Sequence, residues 1–210
     1  MVDYIVFDLD GTLIDTLTGI TEATNLTLKE LNLPYKYSYD EVKTFIGRGA
    51  KRLFELALKR SFSDDEFNLF LKNYEKCQYI SEPYKGVLST LKELEDKGIK
   101  LIIYSNKPDA ILQKLCKSKL FSINFVKIQG KDKSFLPKPD VTLLKEILLK
   151  NDLLDKQGLF VGDSVVDVET AKNINLKCAI LTYGYGIKED FIKEKPDYYL
   201  NSFEDVKKII

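Results

Sequence analysis

A chain of 210 residues is long enough for one substantial core, or for one core with a small inserted unit. Apolar residues make up 44%, and 32 basic side chains balance 32 acidic ones, so nothing marks the chain as a nucleic-acid binder held by phosphate contacts. No apolar run approaches the ~20 residues of a membrane span, and Asp3 stands where a signal peptide would carry positive charge. A cytoplasmic protein with neither nucleic-acid nor membrane partners is expected, as a monomer or weak homodimer.

Tyr4-Ile5-Val6-Phe7 is a short β-branched and aromatic run, continuous rather than alternating, and reads as a buried parallel strand broken by Gly11. Helical patterns then dominate: about Thr16 to Leu31, ended by Pro34, then Tyr39 to Ile46, Ala50 to Lys59 and Ser63 to Tyr79. After Pro83 strands and helices alternate. Val87, Leu88, Leu91 and Leu94 mark a helix stopped by Gly98. Strands are predicted over 99–104, 125–128, 159–161 and 178–181, and helices over 108–117, 139–150 and 165–173. Tyr183-Gly184-Tyr185-Gly186 reads as a loop, and Ser202 can cap a last helix. The expectation is a Rossmann-like α/β fold, a parallel sheet with helices on both faces. Residues 1–15 and 81–210 would form this core, and 16–80 an inserted all-helical domain.

Histidine is absent, which excludes a Ser-His-Asp triad, a His-paired cysteine nucleophile and any His-ligated zinc site. Cys77, Cys116 and Cys178 lie far apart and read as reduced structural thiols. If the chain is an enzyme, its chemistry must rest on carboxylates, lysines and hydroxyls, with or without an oxygen-liganded metal.

Ligands of open α/β sheets bind beyond the carboxyl ends of the strands. There this sequence places Asp8 and Asp10, Ser105 and Asn106, Lys138, and Gly162-Asp163-Ser164 with Asp167. Each has an ordinary reading alone: a turn, a helix N-cap, a solvated lysine, another turn. Together they form a coherent set. Asp163 can join Asp8 in holding Mg²⁺, a hard cation that takes oxygen ligands. Lys138 can offset the acidic charge, and Ser105, with backbone N–H groups at a helix start, can take a phosphoryl oxygen. Asp8 would then act as nucleophile, while Asp10 exchanges protons with the leaving oxygen and with water.

These residues resemble the haloacid dehalogenase-like hydrolase superfamily, and the match spans the chain. Asp8-Leu9-Asp10-Gly11-Thr12-Leu13 is similar to its first motif and Ser105-Asn106 to its second. Lys138-Pro139-Asp140 is similar to the third, and Gly162-Asp163-Ser164-Val165-Val166-Asp167 to the fourth. The resemblance implies that Asp8 is the nucleophile and Asp10 the acid/base. It places Mg²⁺ on the Asp8 carboxylate, the Asp10 carbonyl and Asp163. It puts Thr12 and Asn106 near substrate, and Asp167 against Lys138 or a metal-bound water. The helical insert would be a cap closing over the site. Dehalogenase and phosphonatase members lack an acid at the Asp10 position, so Asp10 favours phosphate esters or phosphoryl transfer.

Phe45-Ile46-Gly47-Arg48-Gly49-Ala50 is similar to the corresponding cap stretch of phosphoglycolate phosphatase-like members. Gly47 and Gly49 would let backbone approach a small phosphorylated metabolite, and Arg48 could pair with its carboxylate. Alternatives on the same scaffold are a β-phosphoglucomutase-like phosphomutase and a pyrophosphatase. A receiver domain carries its phosphorylated aspartate on a later strand and has no such insert, and a catalytically silent binder would not need every key position filled.

Overall fold

The computed structural model describes residues 2–210. Strand β1 is Tyr4–Phe7, buried along its whole length. The chain then passes through β2 (Ile14–Asp15) into four helices: α1 (Leu17–Glu30), α2 (Tyr39–Lys43), α3 (Ala50–Leu58) and α4 (Asp64–Cys77). It returns through a 3₁₀ turn, Gln78–Ile80, and β3 (Glu82–Pro83). The rest alternates: α5 (Val87–Asp96), β4 (Lys100–Pro108), α6 (Asp109–Lys119), β5 (Lys127–Lys131), α7 (Thr142–Lys150), β6 (Gly158–Gly162), α8 (Val165–Asn173), β7 (Lys177–Leu181), α9 (Lys188–Glu194) and β8 (Tyr198–Leu200). A terminal 3₁₀ helix, Phe203–Lys208, is closed by a reciprocal cap between Ser202 and Asp205. Among the described residues no helix is long and apolar enough to cross a membrane.

Six strands form one parallel sheet in the order β5-β4-β1-β6-β7-β8. The continuous apolar character of β1 follows from burial on both faces. Ile5 and Phe7 pack with α5 and α6, whereas Tyr4 and Val6 pack with α7 and α8. β4, β6 and β7 alternate in the same way. From β1 the chain builds outward to β4 and β5 on one side, then to β6, β7 and β8 on the other. β1 is therefore the switch point, and a crevice opens at its carboxyl end.

The helices α1 to α4 bury a third cluster, with Ile20, Phe54, Phe70 and Tyr74 at its centre and the Phe54 and Phe70 rings stacked 4.8 Å apart. Ser38 and Ser63 open α2 and α4 with capping boxes to Glu41 and Glu66. Where the chain leaves and re-enters the sheet, β2 and β3 pair antiparallel, Ile14 opposite Pro83 and Asp15 opposite Glu82.

Several elements differ from the sequence expectation. β4 runs on through Ser105, Asn106 and Lys107, and α6 begins at Asp109 behind Pro108. Ser105 is thus a strand residue, not a helix cap, and no helix start adjoins it. α7 begins at Thr142 rather than Pro139, after a turn in which the Asp140 side chain accepts from the Thr142 amide. α9 and β8 are additional: the first is largely charged and buries only Phe191, and the second is a three-residue edge strand. The β2–β3 pair is likewise too short to carry a periodic signal.

Candidate active site

The carboxyl ends of β1, β4 and β6 lie side by side, and their side chains line a cavity of about 200 Å³ roofed by the helical layer. That is below the roughly 300–1,000 Å³ of pockets that take drug-sized ligands, so it fits a small molecule. Asp8, Asp10, Ser105, Asn106 and Asp163 line it from the sheet, and Gly47, Arg48, Gly49 and Lys43 from the helices.

Asp8 follows β1 directly, its amide bonded to the Val161 carbonyl at 3.0 Å. Lys138 Nζ stands 3.0 Å from Asp8 Oδ1 and 2.7 Å from Asp167 Oδ1, and all three side chains are buried. Burial pulls the Lys138 pKa down, but Asp167 and Asp8 outweigh it and hold it above the ordinary lysine value. Asp167 uses its other oxygen on the Asp163 amide and on the amide and hydroxyl of Ser164, which also caps α8. One aspartate thus starts a helix and orients the lysine.

Asp163 is positioned from two sides. Thr12 Oγ1 donates to Oδ1 at 3.2 Å and the Tyr185 amide to Oδ2 at 2.6 Å. Backbone approaches it so closely that a Cβ on Gly11 would sit 2.4 Å from Oδ2, and one on Gly184 2.2 Å from the Asp163 Cβ. Gly11 also holds φ at +79°, in the left-handed region.

The donor set fits a hard divalent cation. Carboxylate oxygens of Asp8, Asp163 and Asp167 lie within 4.8 Å of one another, all buried. Asp8 Oδ1 is buried with no hydrogen-bond donor aligned on it, because Lys138 approaches off the bonding direction. Burial raises the Asp8 pKa to about 6, with Asp167 and Asp10 adding to the rise and Lys138 opposing it. Asp163 is raised by burial first and then by Asp167 and Asp8. Oxygens this crowded and this poorly solvated are matched by a cation.

Asn106 lines the cavity, whereas Thr12, expected near substrate, does not. Thr12 is fully buried and spends its hydroxyl on Asp163. Asn106 donates to the Gly47 and Lys138 carbonyls and accepts from the Lys138 amide, so its side chain joins the lysine loop to the helical layer. Arg48 is exposed at the cavity rim.

Three residues at the site carry little sequence signal. Lys107 pairs with Asp10 at 2.8 Å and contacts Tyr74 of α4, past the register shift that follows Tyr104 in β4. The Tyr183–Gly186 segment is a loop as expected, but one that closes over Asp163 through Tyr185.

A family model described as haloacid dehalogenase-like hydrolase matches residues 5–181. Phosphoglycolate phosphatase of Aquifex aeolicus (strain VF5) is 36% identical over 208 residues, covering 98% of this chain and 95% of that protein. Phosphoglycolate phosphatase 1 of Pseudomonas aeruginosa is 31% identical over 211 residues, 96% of this chain and 77% of its own length. A crystal structure described as a predicted phosphoglycolate phosphatase from Haemophilus somnus 129pt superposes with a TM-score of 0.88 at 31% identity, covering 99% of this chain and 97% of that one. With the family pattern running from β1 to β7 and its acidic, lysine and hydroxyl groups meeting at one crevice, this chain belongs to the haloacid dehalogenase-like hydrolase family.

Proposed function

We propose that the chain is a Mg²⁺-dependent phosphatase acting through an aspartyl-phosphate on Asp8, with 2-phosphoglycolate as substrate. One observation carries this reading. The floor of the cavity holds Asp8, Asp10 and Asp163, whereas the charged residues that the helical layer contributes, Lys43 and Arg48, are both cationic. A phosphate seated on the floor leaves room for a second anionic group under the roof, and a carboxylate is that group in 2-phosphoglycolate. The names of the relatives from Aquifex aeolicus and Pseudomonas aeruginosa support the same substrate.

Residues 16–80 act as the cap, and 1–15 with 81–210 as the catalytic core. Mg²⁺ would be held by Asp8, the Asp10 carbonyl and Asp163, with Asp167 behind them, and supplies charge that draws in the phosphoryl oxygens. Lys138 keeps Asp8 ionised and shields it from the incoming anion. The Ser105 hydroxyl takes a phosphoryl oxygen. An Asp8 oxygen forms the new bond to phosphorus as the ester P–O bond breaks, and Asp10 gives its proton to the departing oxygen. Asp10 then takes a proton from the water that attacks the aspartyl-phosphate, whose bond to Asp8 breaks, which releases phosphate and restores the Asp8 carboxylate and the Asp10 acid.

The test is phosphate release with Mg²⁺ from 2-phosphoglycolate, hexose phosphates and pyrophosphate, by the wild type and Asp8→Asn. The wild type should prefer the carboxylated ester, and Asp8→Asn should lose at least ~10³-fold of activity, as expected when a nucleophile is removed. Retained activity in Asp8→Asn overturns the covalent reading. Hexose phosphate isomerised without phosphate release, or pyrophosphate preferred, overturns the substrate.

A further inference from the structure

Lys107 is a second buried lysine at the site, and the mechanism above gives it no task. Its side chain is wholly shielded from solvent. Nζ lies 2.8 Å from Asp10 Oδ1 and 2.6 Å from the Tyr74 hydroxyl, so one ammonium joins the strand β4, the loop after β1 and the cap helix α4. Tyr74 is itself buried in the cap core. Burial, and after it the charges of Asp10 and Asp8, hold the phenol pKa well above its ordinary value, so Tyr74 meets Lys107 as a neutral acceptor. Among the described residues, the other Asp10 oxygen, Oδ2, has no protein hydrogen-bond partner, and the residue lines the cavity.

A carboxylate on a short side chain has two free torsions, and proton exchange needs one of its oxygens within reach of the leaving atom. Fixing Oδ1 fixes the plane and therefore the direction of Oδ2. A lysine can fix Oδ1 only if its own flexible stem is anchored, and the Tyr74 hydroxyl is that anchor. We propose that Lys107 is a positioning residue for Asp10, braced by Tyr74, and that the brace aims the free Asp10 oxygen at the leaving group only while α4 is docked on the core. The pair does for Asp10 what Asp167 does for Lys138. The proposal rests on Asp10 being the acid/base, and the experiment separates the two.

Protonation of the leaving oxygen matters most when that oxygen is a poor leaving group, so a misaimed acid shows itself as a steeper dependence on leaving-group basicity. The measurement is kcat/KM, which covers the steps through phosphorylation of Asp8, on a series of ring-substituted phenyl phosphates of similar size with Mg²⁺. Four proteins are compared: wild type, Asp10→Asn, Lys107→Met and Tyr74→Phe. Asp10→Asn should lose ~10²-fold or more on unsubstituted phenyl phosphate and far less on the dinitrophenyl ester. Lys107→Met should show the same steepening, and Tyr74→Phe, which keeps the ring and removes only the hydroxyl, a fainter version of ~3–10-fold. A steep Asp10→Asn with equal losses across the series for both Lys107→Met and Tyr74→Phe overturns the brace and leaves Asp10 standing. A flat response in Asp10→Asn overturns the acid/base reading beneath it. Should Lys107→Met fail to fold, Tyr74→Phe decides alone: a slope equal to the wild type's overturns the proposal.

Discussion

Asp8 is the residue on which burial and charge pull hardest against each other. Desolvation pushes its pKa up to about 6, Asp167 and Asp10 push the same way, and Lys138 opposes them. Asp163 moves upward as well, by burial first and then by repulsion from Asp167 and Asp8. An acid whose folded pKa exceeds its unfolded value favours the folded state when protonated. Its contribution is complete below about pH 4 and is lost as pH rises through about 6, at a cost of about 3 kcal/mol for Asp8. A divalent cation binds the ionised carboxylates and so works against that loss, more strongly as they deprotonate. The metal-free protein is therefore expected to become less stable between pH 5 and 7.5 through these groups. Added Mg²⁺ is expected to raise the melting temperature more at pH 7.5 than at pH 5. Thermal unfolding at both pH values, with chelator and with excess Mg²⁺, measures this directly; an equal Mg²⁺ effect at the two pH values contradicts it. The acids involved were legible in the sequence because each follows a strand. Their company was not: the resemblance puts Thr12 near substrate, yet its hydroxyl reaches Asp163, 151 positions later.

At the scale of elements, legibility followed burial. β1, β4, β6 and β7 are buried on both faces, so their apolar runs stood out, and the helix pattern from Ser63 matches α4, which Ser63 and Glu66 cap. The pieces that escaped were those with one anchor, such as α9 on Phe191, or with two residues, such as β2 and β3. The start of α1 was read at Thr16, but what caps it was not. Its N-cap, Thr16, makes no side-chain capping bond. The Tyr185 hydroxyl caps the helix instead, accepting from the Thr16 and Leu17 amides at 2.6 and 2.9 Å and donating to Asp15 at 2.7 Å. No local pattern can reveal a cap supplied from the loop after β7. Tyr185→Phe keeps the ring and strands the Thr16 amide, while Leu17 keeps Asp15 Oδ1 as an acceptor at 3.2 Å, at a cost of about 1–3 kcal/mol. For a chain of this size that lowers the melting temperature by about 2–12 °C. Because the Tyr185 backbone amide still holds Asp163, Mg²⁺ affinity should change little. A calorimetric melt paired with a Mg²⁺ titration checks both; full stability, or a Mg²⁺ affinity lost in parallel, would refute this division of labour.

Across the whole molecule charge is balanced, yet at the cavity it is sorted: acids predominate on the sheet side, and the helical layer brings Lys43 and Arg48. Asn106 bonds the Gly47 carbonyl at 3.0 Å, and a Cβ on Gly49, whose φ is +88°, would stand 3.4 Å from the Asn106 carbonyl oxygen. The turn that carries Arg48 is thus fastened to the second motif, a strap that the sequence reading of Gly47-Arg48-Gly49 did not contain. If the roof reads a carboxylate, its removal must be felt by substrates that have one and ignored by those that do not. One charge-assisted hydrogen bond is worth about 1.5–3 kcal/mol, or roughly 10–100-fold. Arg48→Ala should lower kcat/KM for 2-phosphoglycolate by about that factor and change an aryl phosphate by less than ~3-fold. Lys43→Ala should do the same more weakly, and the double variant should approach the aryl phosphate rate on both substrates. Equal losses on the two substrates would mean instead that Arg48 holds the cap in place, and a loss confined to the aryl ester would turn the roof into an apolar selector. The sorting of charge makes the first result the expected one, because a cationic rim over an acidic floor favours ligands with negative charge at both ends.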